Sequence, residues 1–90
     1  MTQATPETIA QTKLDNPWQV VLFNDEVHSF NEVILQVQKA LGCPLQKAAE
    51  LTLRAHKNGK TVVFIGPFVE CEHVTDVLEQ IQLGVKLEKT

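Results

Sequence analysis

The chain has few positively charged residues and few cysteines, the residue that crosslinks small secreted proteins. It has eight lysine and arginine residues against eleven aspartate and glutamate residues, which gives a net charge of −3 at pH 7. Nucleic acids and anionic membranes both select a basic surface, so this balance argues against either as a partner. The two cysteines, Cys43 and Cys71, form neither a disulfide framework nor a repeated metal-ligand spacing. We therefore expect reduced thiols, no metal and no other cofactor.

The chain also lacks a long apolar run. No stretch approaches the ~18 residues of a membrane-spanning helix, and the N-terminal residues contain no apolar signal core. We therefore expect a cytoplasmic protein with no membrane association. Hydrophobic residues make up 43% of the 90 residues, which suffices for one modest core. A core of this size leaves little room for a deep catalytic cleft, so a binding domain is favoured over an enzyme.

Residues 1–16 differ in composition from the rest of the chain. They contain several Thr, Gln and Ala residues, and after Met1 only Ile9 and Leu14 are aliphatic residues larger than Ala. Such a polar stretch cannot bury enough apolar surface to offset the entropy of ordering. The sequence therefore predicts a flexible N-terminal tail over residues 1–16 and one folded core domain over residues 17–90.

The first half of the core domain predicts a strand and a helix. Residues 18–23 are mostly β-branched or aromatic, and the turn-favouring segment Asn24-Asp25-Glu26 follows them. Ser29 with Glu32 three residues later forms a capping box, the usual signature of a helix start. Apolar residues at helical spacing then continue to Gly42, which predicts where this helix ends.

The second half predicts a helix, a strand, a helix and a strand. A second helix begins after Pro44 and ends at Gly59. Residues 61–65 are almost continuously apolar, which predicts a central strand. Residues 85–88 alternate between apolar and polar, as in an edge strand. Between these strands a third helix ends just before Gly84, and its apolar stripe consists of Val74, Val77, Leu78 and Ile81.

The order of these elements is strand, helix, helix, strand, helix, strand, or βααβαβ. Helices and strands must each bury one apolar face, and stacking one layer on the other achieves this. The sequence therefore predicts an α+β fold, a two-layer sandwich in which a three-stranded antiparallel sheet carries three helices on one face.

The acidic turn has two interpretations. Its residues favour turns, and carboxylates suit the positive end of the following helix dipole. Alternatively, carboxylates beside an amide carbonyl offer acceptors to an ammonium group, which has three donors. A positive His56 is favoured at the last turn of its helix by the helix dipole. However, the short link makes the two helices antiparallel, and this brings His56 towards the acidic turn. The second interpretation predicts an amine site formed by Asn24, Asp25, Glu26 and His56.

An apolar slot is predicted beside this amine site. Phe30 and Val33 lie on the first turns of the first helix, and Thr52 and Ala55 on the last turns of the second. Each residue also suits an ordinary core position. Because Thr52 and Ala55 are small, they would instead leave an apolar gap opposite Phe30 and Val33, with Leu83 at its rim.

Metal and catalytic alternatives have less support in the sequence. Cys71 and His73 are close, but two positions apart on a helix they point to different faces. A catalytic interpretation would use His56 with Asp25 or Glu26 as a proton-transfer pair. Such an enzyme would still lack a nucleophile with a neighbouring base, so we expect no catalytic residues.

The strand ending in Asn24-Asp25-Glu26, the helical pair after it and the segment Ala55-His56-Lys57-Asn58-Gly59-Lys60 resemble the ClpS adaptor family. The resemblance runs from Trp18 to about Thr61 without a gap. The acidic turn followed, one helical pair later, by His-x-x-Gly-Lys is specific in combination. The resemblance implies an adaptor that binds N-degrons, meaning the free α-amino group and bulky hydrophobic first residue of a substrate.

The resemblance also implies residue roles and partners. Asn24, Asp25 and His56 would hold the amine, and the pocket would be lined by Phe30, Val33, Thr52, Ala55 and Leu83. Family members often have Met at the positions of Phe30 and Thr52. The implied partner is a Clp-family AAA+ ATPase of ClpA or ClpC type with its protease, in a bacterial cytosol or plastid stroma. The alternative is an interaction domain like the C-terminal domain of the ribosomal stalk protein, which has a similar α+β outline without amine recognition.

Overall fold

The computed structural model describes residues 17–90, and the tail predicted over residues 1–16 lies outside the described residues. The predicted βααβαβ order and α+β class are confirmed, and the sheet is three-stranded and antiparallel. The elements are β1 (Trp18–Phe23), α1 (Phe30–Leu41), α2 (Leu45–Asn58), β2 (Lys60–Gly66), α3 (Phe68–Glu79) and β3 (Val85–Lys89).

The sheet has the strand order β2-β1-β3, so β1 is central and both other strands are edges. The prediction that residues 61–65 form a central strand is therefore wrong, whereas the edge position of β3 is confirmed. The continuous apolar run in β2 does not reflect burial on both faces, because Val62 and Ile65 remain 37% and 58% exposed. A register shift, with Val20 opposite Phe64 and Val21 opposite Val62, marks a β-bulge in β2.

The ends of α1 follow the local signals in the sequence. The Ser29 hydroxyl accepts from the Glu32 backbone N–H, and the Glu32 carboxylate accepts from the Ser29 backbone N–H, which completes the predicted capping box. Gly42 follows the helix with φ of 65°, in the left-handed region that glycine occupies without steric cost. Local hydrogen bonds therefore fix where α1 begins, directly after its N-cap Ser29.

The end of α3 differs from the prediction. The helix stops at Glu79, so Ile81 lies beyond it. The residue in the left-handed region is Gln82, with φ of 64°, and not Gly84. Its N–H donates to the carbonyl of Glu79, and the next N–H, that of Leu83, donates to the carbonyl of Leu78. These two bonds form a Schellman motif, which ends the helix earlier than a glycine signal would suggest.

One apolar core lies between the helices and the sheet. Helices α2 and α3 contact the strands, and α1 packs across both of these helices. The largest fully buried side chains come from both layers, namely Val20, Leu22, Val37, Cys71 and Leu78. This packing holds the beginning of α1 and the end of α2 next to the end of β1.

Candidate functional site

The ends of β1 and α2 meet because β2 begins directly after α2. Lys60, the first residue of β2, lies opposite Phe23, the last residue of β1. The backbone N–H of Asn24 also donates to the carbonyl of Gly59, at 2.9 Å. Gly59 has φ of 87°, which lets the chain turn sharply from helix to strand. His56, three residues before Gly59, is thereby held beside Asn24.

Asn24 and His56 are in direct contact. The Oδ1 atom of Asn24 lies 3.3 Å from Nδ1 of His56. The Nδ2 atom of Asn24 donates to Oε2 of Glu26 at 2.7 Å. The contact with Glu26 assigns the amide orientation, because a carboxylate oxygen can only accept. An amide oxygen also only accepts, so in this arrangement Nδ1 of His56 carries the hydrogen.

Asp25 is held within its own loop. Its Oδ2 accepts from the backbone N–H of His28 at 2.7 Å and from Nδ1 of His28 at 2.6 Å, while the Val27 N–H lies 3.4 Å from Oδ1. Burial acts to raise the pKa of Asp25, but the hydrogen bonds from His28 and Val27 outweigh it and hold that pKa below its ordinary value of 3.8. Asp25 therefore carries a negative charge at neutral pH.

An apolar wall closes the space between these polar groups. The cavity has a volume of about 20 Å³, room for about one water molecule. It is lined by Leu22, Phe23, Asn24, Asp25, His28, Phe30, Val33, Thr52, Ala55 and His56. Polar acceptors and apolar side chains thus share one small hollow at the start of α1 and the end of α2.

Phe30 occupies most of the gap that the sequence predicted here. Its ring meets the ring of His56 edge to face, with centroids 5.6 Å apart, and it remains 44% exposed. Val33, Thr52 and Ala55 are buried beside it. The Thr52 hydroxyl donates to the carbonyl of Ala48 at 2.8 Å, so it is not free to donate to a ligand. Small side chains at 52 and 55 therefore leave a narrow cavity and not an open slot.

Most predicted site residues line this cavity, but Glu26 and Leu83 do not. Glu26 is exposed and reaches the site only through its hydrogen bond with the amide of Asn24. Leu83 is a core residue, 3% exposed, next to Gly84, whose carbonyl accepts from the Phe23 N–H. Its predicted place at the rim is therefore corrected to a place in the core beside the segment that pins the end of β1.

Three cavity residues were not among the predicted site residues. Leu22 and Phe23 belong to the end of β1, which the sequence predicted only as a strand. His28 lies in the loop before α1, and its spacing from Asp25 is the signal that could have found it. Asp side chains commonly accept from backbone N–H groups two or three residues later, which places residue 28 against residue 25.

None of three larger hollows on the described surface brings Asn, Asp and His side chains together. One of these hollows, of about 460 Å³, lies on the solvent-facing side of α2. Its lining includes the exposed ion pair of Lys47 and Glu50, in which Nζ and Oε1 are 3.7 Å apart. Within residues 17–90, no three His, Cys, Asp or Glu side chains cluster closely enough to hold a metal ion. None of the helices in this part of the chain is both long and apolar enough to cross a bilayer.

Comparisons with known proteins bear on this site. The family described as ATP-dependent Clp protease adaptor protein ClpS matches residues 13–87. The ATP-dependent Clp protease adapter protein ClpS of Nocardia farcinica is 39% identical over 75 residues, covering 79% of this chain and 71% of that protein. The E3 ubiquitin-protein ligase UBR2 of Mus musculus is 30% identical over 73 residues, covering 81% of this chain but only 4% of the ligase.

A solved structure has the same fold. Agrobacterium tumefaciens ClpS2 bound to L-phenylalaninamide superposes with a TM-score of 0.77, covering 83% of this chain and 98% of that one. Sequence identity across this match is 16%, so the likeness concerns the fold.

Proposed function

The chain belongs to the ClpS family of ATP-dependent Clp protease adaptor proteins, and from that premise we propose that it binds the free α-amino group and bulky hydrophobic first residue of N-degron substrates. The observation that carries the proposal is the meeting of Asn24, Asp25 and His56 on one cavity with an apolar wall. L-Phenylalaninamide, the ligand of the ClpS2 structure, has the same two features, a free amine and an apolar side chain. The ribosomal stalk alternative gives no reason for these groups to meet.

An ammonium group has three donors, and the cavity offers matching acceptors. Asn24 Oδ1 has a second lone pair, and Oδ1 of Asp25 makes only the 3.4 Å contact with the Val27 N–H. The third acceptor is Nδ1 of His56 after its hydrogen has moved to Nε2. His56 is exposed, so water can exchange that proton when a ligand arrives. Neutral His56 can adopt this tautomer, whereas an imidazolium cannot accept and would repel the ligand.

The first side chain enters the apolar part of the cavity. A space of about 20 Å³ cannot hold a Leu or Phe side chain, so Phe30 must move outward when a ligand binds. Its 44% exposure leaves solvent on one side into which the ring can turn. Val33, Thr52 and Ala55 then form the floor that a first residue contacts. Phe30 thus decides how large a side chain the site accepts.

The expected affinity suits an adaptor. Burying one Leu or Phe side chain contributes about 1.5–3 kcal/mol. Each hydrogen bond to the charged amine contributes about 1.5–3 kcal/mol before ordering costs. Two or three such bonds with one side chain give a Kd of about micromolar order. Binding of this strength holds a substrate and still releases it to a partner.

Delivery to a Clp-family AAA+ ATPase, of ClpA or ClpC type, completes the proposed role, with the bacterial cytosol or plastid stroma as its site. We infer no catalytic activity for this chain. Among the described residues that line the cavity, the Thr52 hydroxyl is the only Ser, Thr or Cys side chain, and it is bonded to its own helix. An enzyme built on His56 and Asp25 would therefore have no nucleophile within the cavity.

A peptide pair tests the proposal. One peptide begins with Leu, and the other has the same sequence preceded by a single Asp. The extra residue moves the amine away from Leu while keeping every other group. We expect the first to bind with a Kd of about micromolar order and the second at least about tenfold more weakly. Equal affinities would show that the site does not recognise a first residue.

A further inference from the structure

His28 has no role in amine recognition so far, yet it is the principal partner of Asp25. Its backbone N–H and its Nδ1 both lie within 2.7 Å of Oδ2 of Asp25. The two side chains are only 19% and 13% exposed, and both line the cavity with Asn24 and His56. A flexible surface pair would not be buried to this degree, so the contact fixes the orientation of the carboxylate.

The position of the proton in this pair follows from the chemistry of the partners. An ionised carboxylate has acceptors only, so a 2.6 Å contact with Oδ2 of Asp25 requires the hydrogen of His28 on Nδ1. The neutral ring already supplies that hydrogen, and no positive charge is needed. Oδ2 of Asp25 is therefore fully engaged by His28, while Oδ1 has only the long contact with the Val27 N–H.

We propose that His28 is a positioning residue of the amine site, which holds Oδ2 of Asp25 and presents Oδ1 to the ammonium group of the ligand. This inference rests on the proposed function, since it names the residue that orients one of the acceptors. His28 donates to Asp25 and does not itself touch the ligand. Without the ring, Oδ2 of Asp25 would keep only its bond from the backbone N–H of residue 28, so the carboxylate could rotate more freely about its χ2 bond and spend part of its time aimed away from the cavity.

The same geometry gives His28 an influence on the pH dependence of binding. The titratable side chains that line the cavity are Asp25, His28 and His56, and the carboxylate of Glu26 faces the amide of Asn24 at its edge. A second proton on His28, at Nε2, leaves the bond to Asp25 intact but adds a positive charge. That charge offsets Asp25 and repels a cationic ligand. A proton added to His28 therefore weakens binding of the ligand, as a proton added to His56 does.

Two substitutions separate positioning from a purely structural role. We expect His28→Ala to weaken binding of a Leu-first peptide by up to about tenfold, because a misoriented Asp25 would make its hydrogen bond to the charged amine only part of the time. His28→Asn keeps a neutral donor near the position of Nδ1, so it should restore affinity to within about threefold of the wild type. The matched control is His73→Ala, an exposed histidine of α3 outside this cavity, which should change nothing.

The pH profile is the second measurement, because a merely structural role would not alter it. Acidification should lower the affinity of the wild type, and it should lower the affinity of His28→Asn distinctly less. Unchanged binding in His28→Ala, no rescue by His28→Asn, or a wild-type profile in His28→Asn would each overturn the inference. If Asp25→Ala and His56→Ala also bind normally, the proposed amine site itself fails. Normal binding in the His28 variants alone removes only this inference.

Discussion

Replacing Phe30 by Ala removes a large, half-exposed side chain from the wall of the cavity. A core Phe→Ala change costs about 3–5 kcal/mol of unfolding free energy. Phe30 is 44% exposed, so about half of the ~1.5–3 kcal/mol for burying a Phe side chain applies. The lost edge-to-face contact with His56 adds about 0.5–1 kcal/mol. We therefore expect a loss of about 1.5–2.5 kcal/mol, and the domain should remain folded.

The effect on binding has the opposite sign. In the wild type, a ligand must break the contact between Phe30 and His56 before its first side chain can enter. Removing Phe30 removes that cost of about 0.5–1 kcal/mol, which corresponds to roughly twofold to fivefold in Kd. The gain in affinity should be largest for Trp-first peptides, which need the most space in the cavity, and smallest for Leu-first peptides. The ratio of the two affinities should therefore shift towards Trp by several-fold.

Isothermal titration with Leu-first and Trp-first peptides, combined with thermal unfolding, measures both effects. Phe68→Ala is a matched control, because Phe68 is 41% exposed and packs edge to face on Trp18 at 4.8 Å, away from the cavity. This control should lose similar stability and keep wild-type affinity for both peptides. If Phe30→Ala weakens both peptides by the same factor, Phe30 is a wall that contacts the ligand and not an obstacle to it.

Further predictions concern the polar groups. Asp25→Ala and His56→Ala should each weaken Leu-first peptides by more than about tenfold, with circular dichroism showing an intact fold. Unchanged affinity in either variant would remove that residue from the site. The hydrogen bonds that lower the pKa of Asp25 stabilise the fold above the ordinary value of 3.8 and are lost as the pH falls through the lower folded value. Chemical denaturation should therefore show that Asp25→Asn loses less stability than the wild type between about pH 4 and about pH 2. Ser29→Ala should cost about 1 kcal/mol of unfolding free energy through the capping box, and no change would mean that water replaces the cap.

Local signals allowed accurate prediction of the elements in the first half of the chain. The ends of α1 depend on hydrogen bonds between Ser29 and Glu32 and on the left-handed backbone at Gly42. All three residues lie within one or two helical turns of the helix end that they determine, so the local sequence is sufficient to predict both ends of α1. Gln82 shows the limit of such signals, because a non-glycine residue adopted the left-handed region that ended α3.

Strand order could not be read in the same way. Whether a strand is central depends on which partners pair with both of its edges, and those partners are distant in sequence. The apolar run of residues 61–65 matched a buried strand in composition, although Val62 and Ile65 face solvent. In β1, five of the six residues are apolar, against four of five in residues 61–65, so composition hardly separates the two strands. β1 is central because β2 and β3 both pair with it.

The meeting of the acidic turn with His56 was predicted from the antiparallel packing of two helices. In the structure, two further contacts bring the acidic turn and His56 together. Phe23 pairs with Lys60, and the Asn24 N–H donates to the carbonyl of Gly59. The partial filling of the cavity by Phe30 could not be predicted, because it depends on a side-chain rotamer. His28 was missed, although its spacing of three residues from Asp25 is a local signal for the contact between them.

The free amine is the central element of this account, and its chemical modification tests it most directly. A short Leu-first peptide is titrated in two forms, one with a free α-amino group and one acetylated there. Acetylation removes the positive charge and two of the three donors while leaving the side chain and the rest of the peptide unchanged. We predict a Kd of about micromolar order for the free peptide and no measurable binding for the acetylated one. Comparable binding of both forms would contradict amine recognition by Asn24, Asp25 and His56.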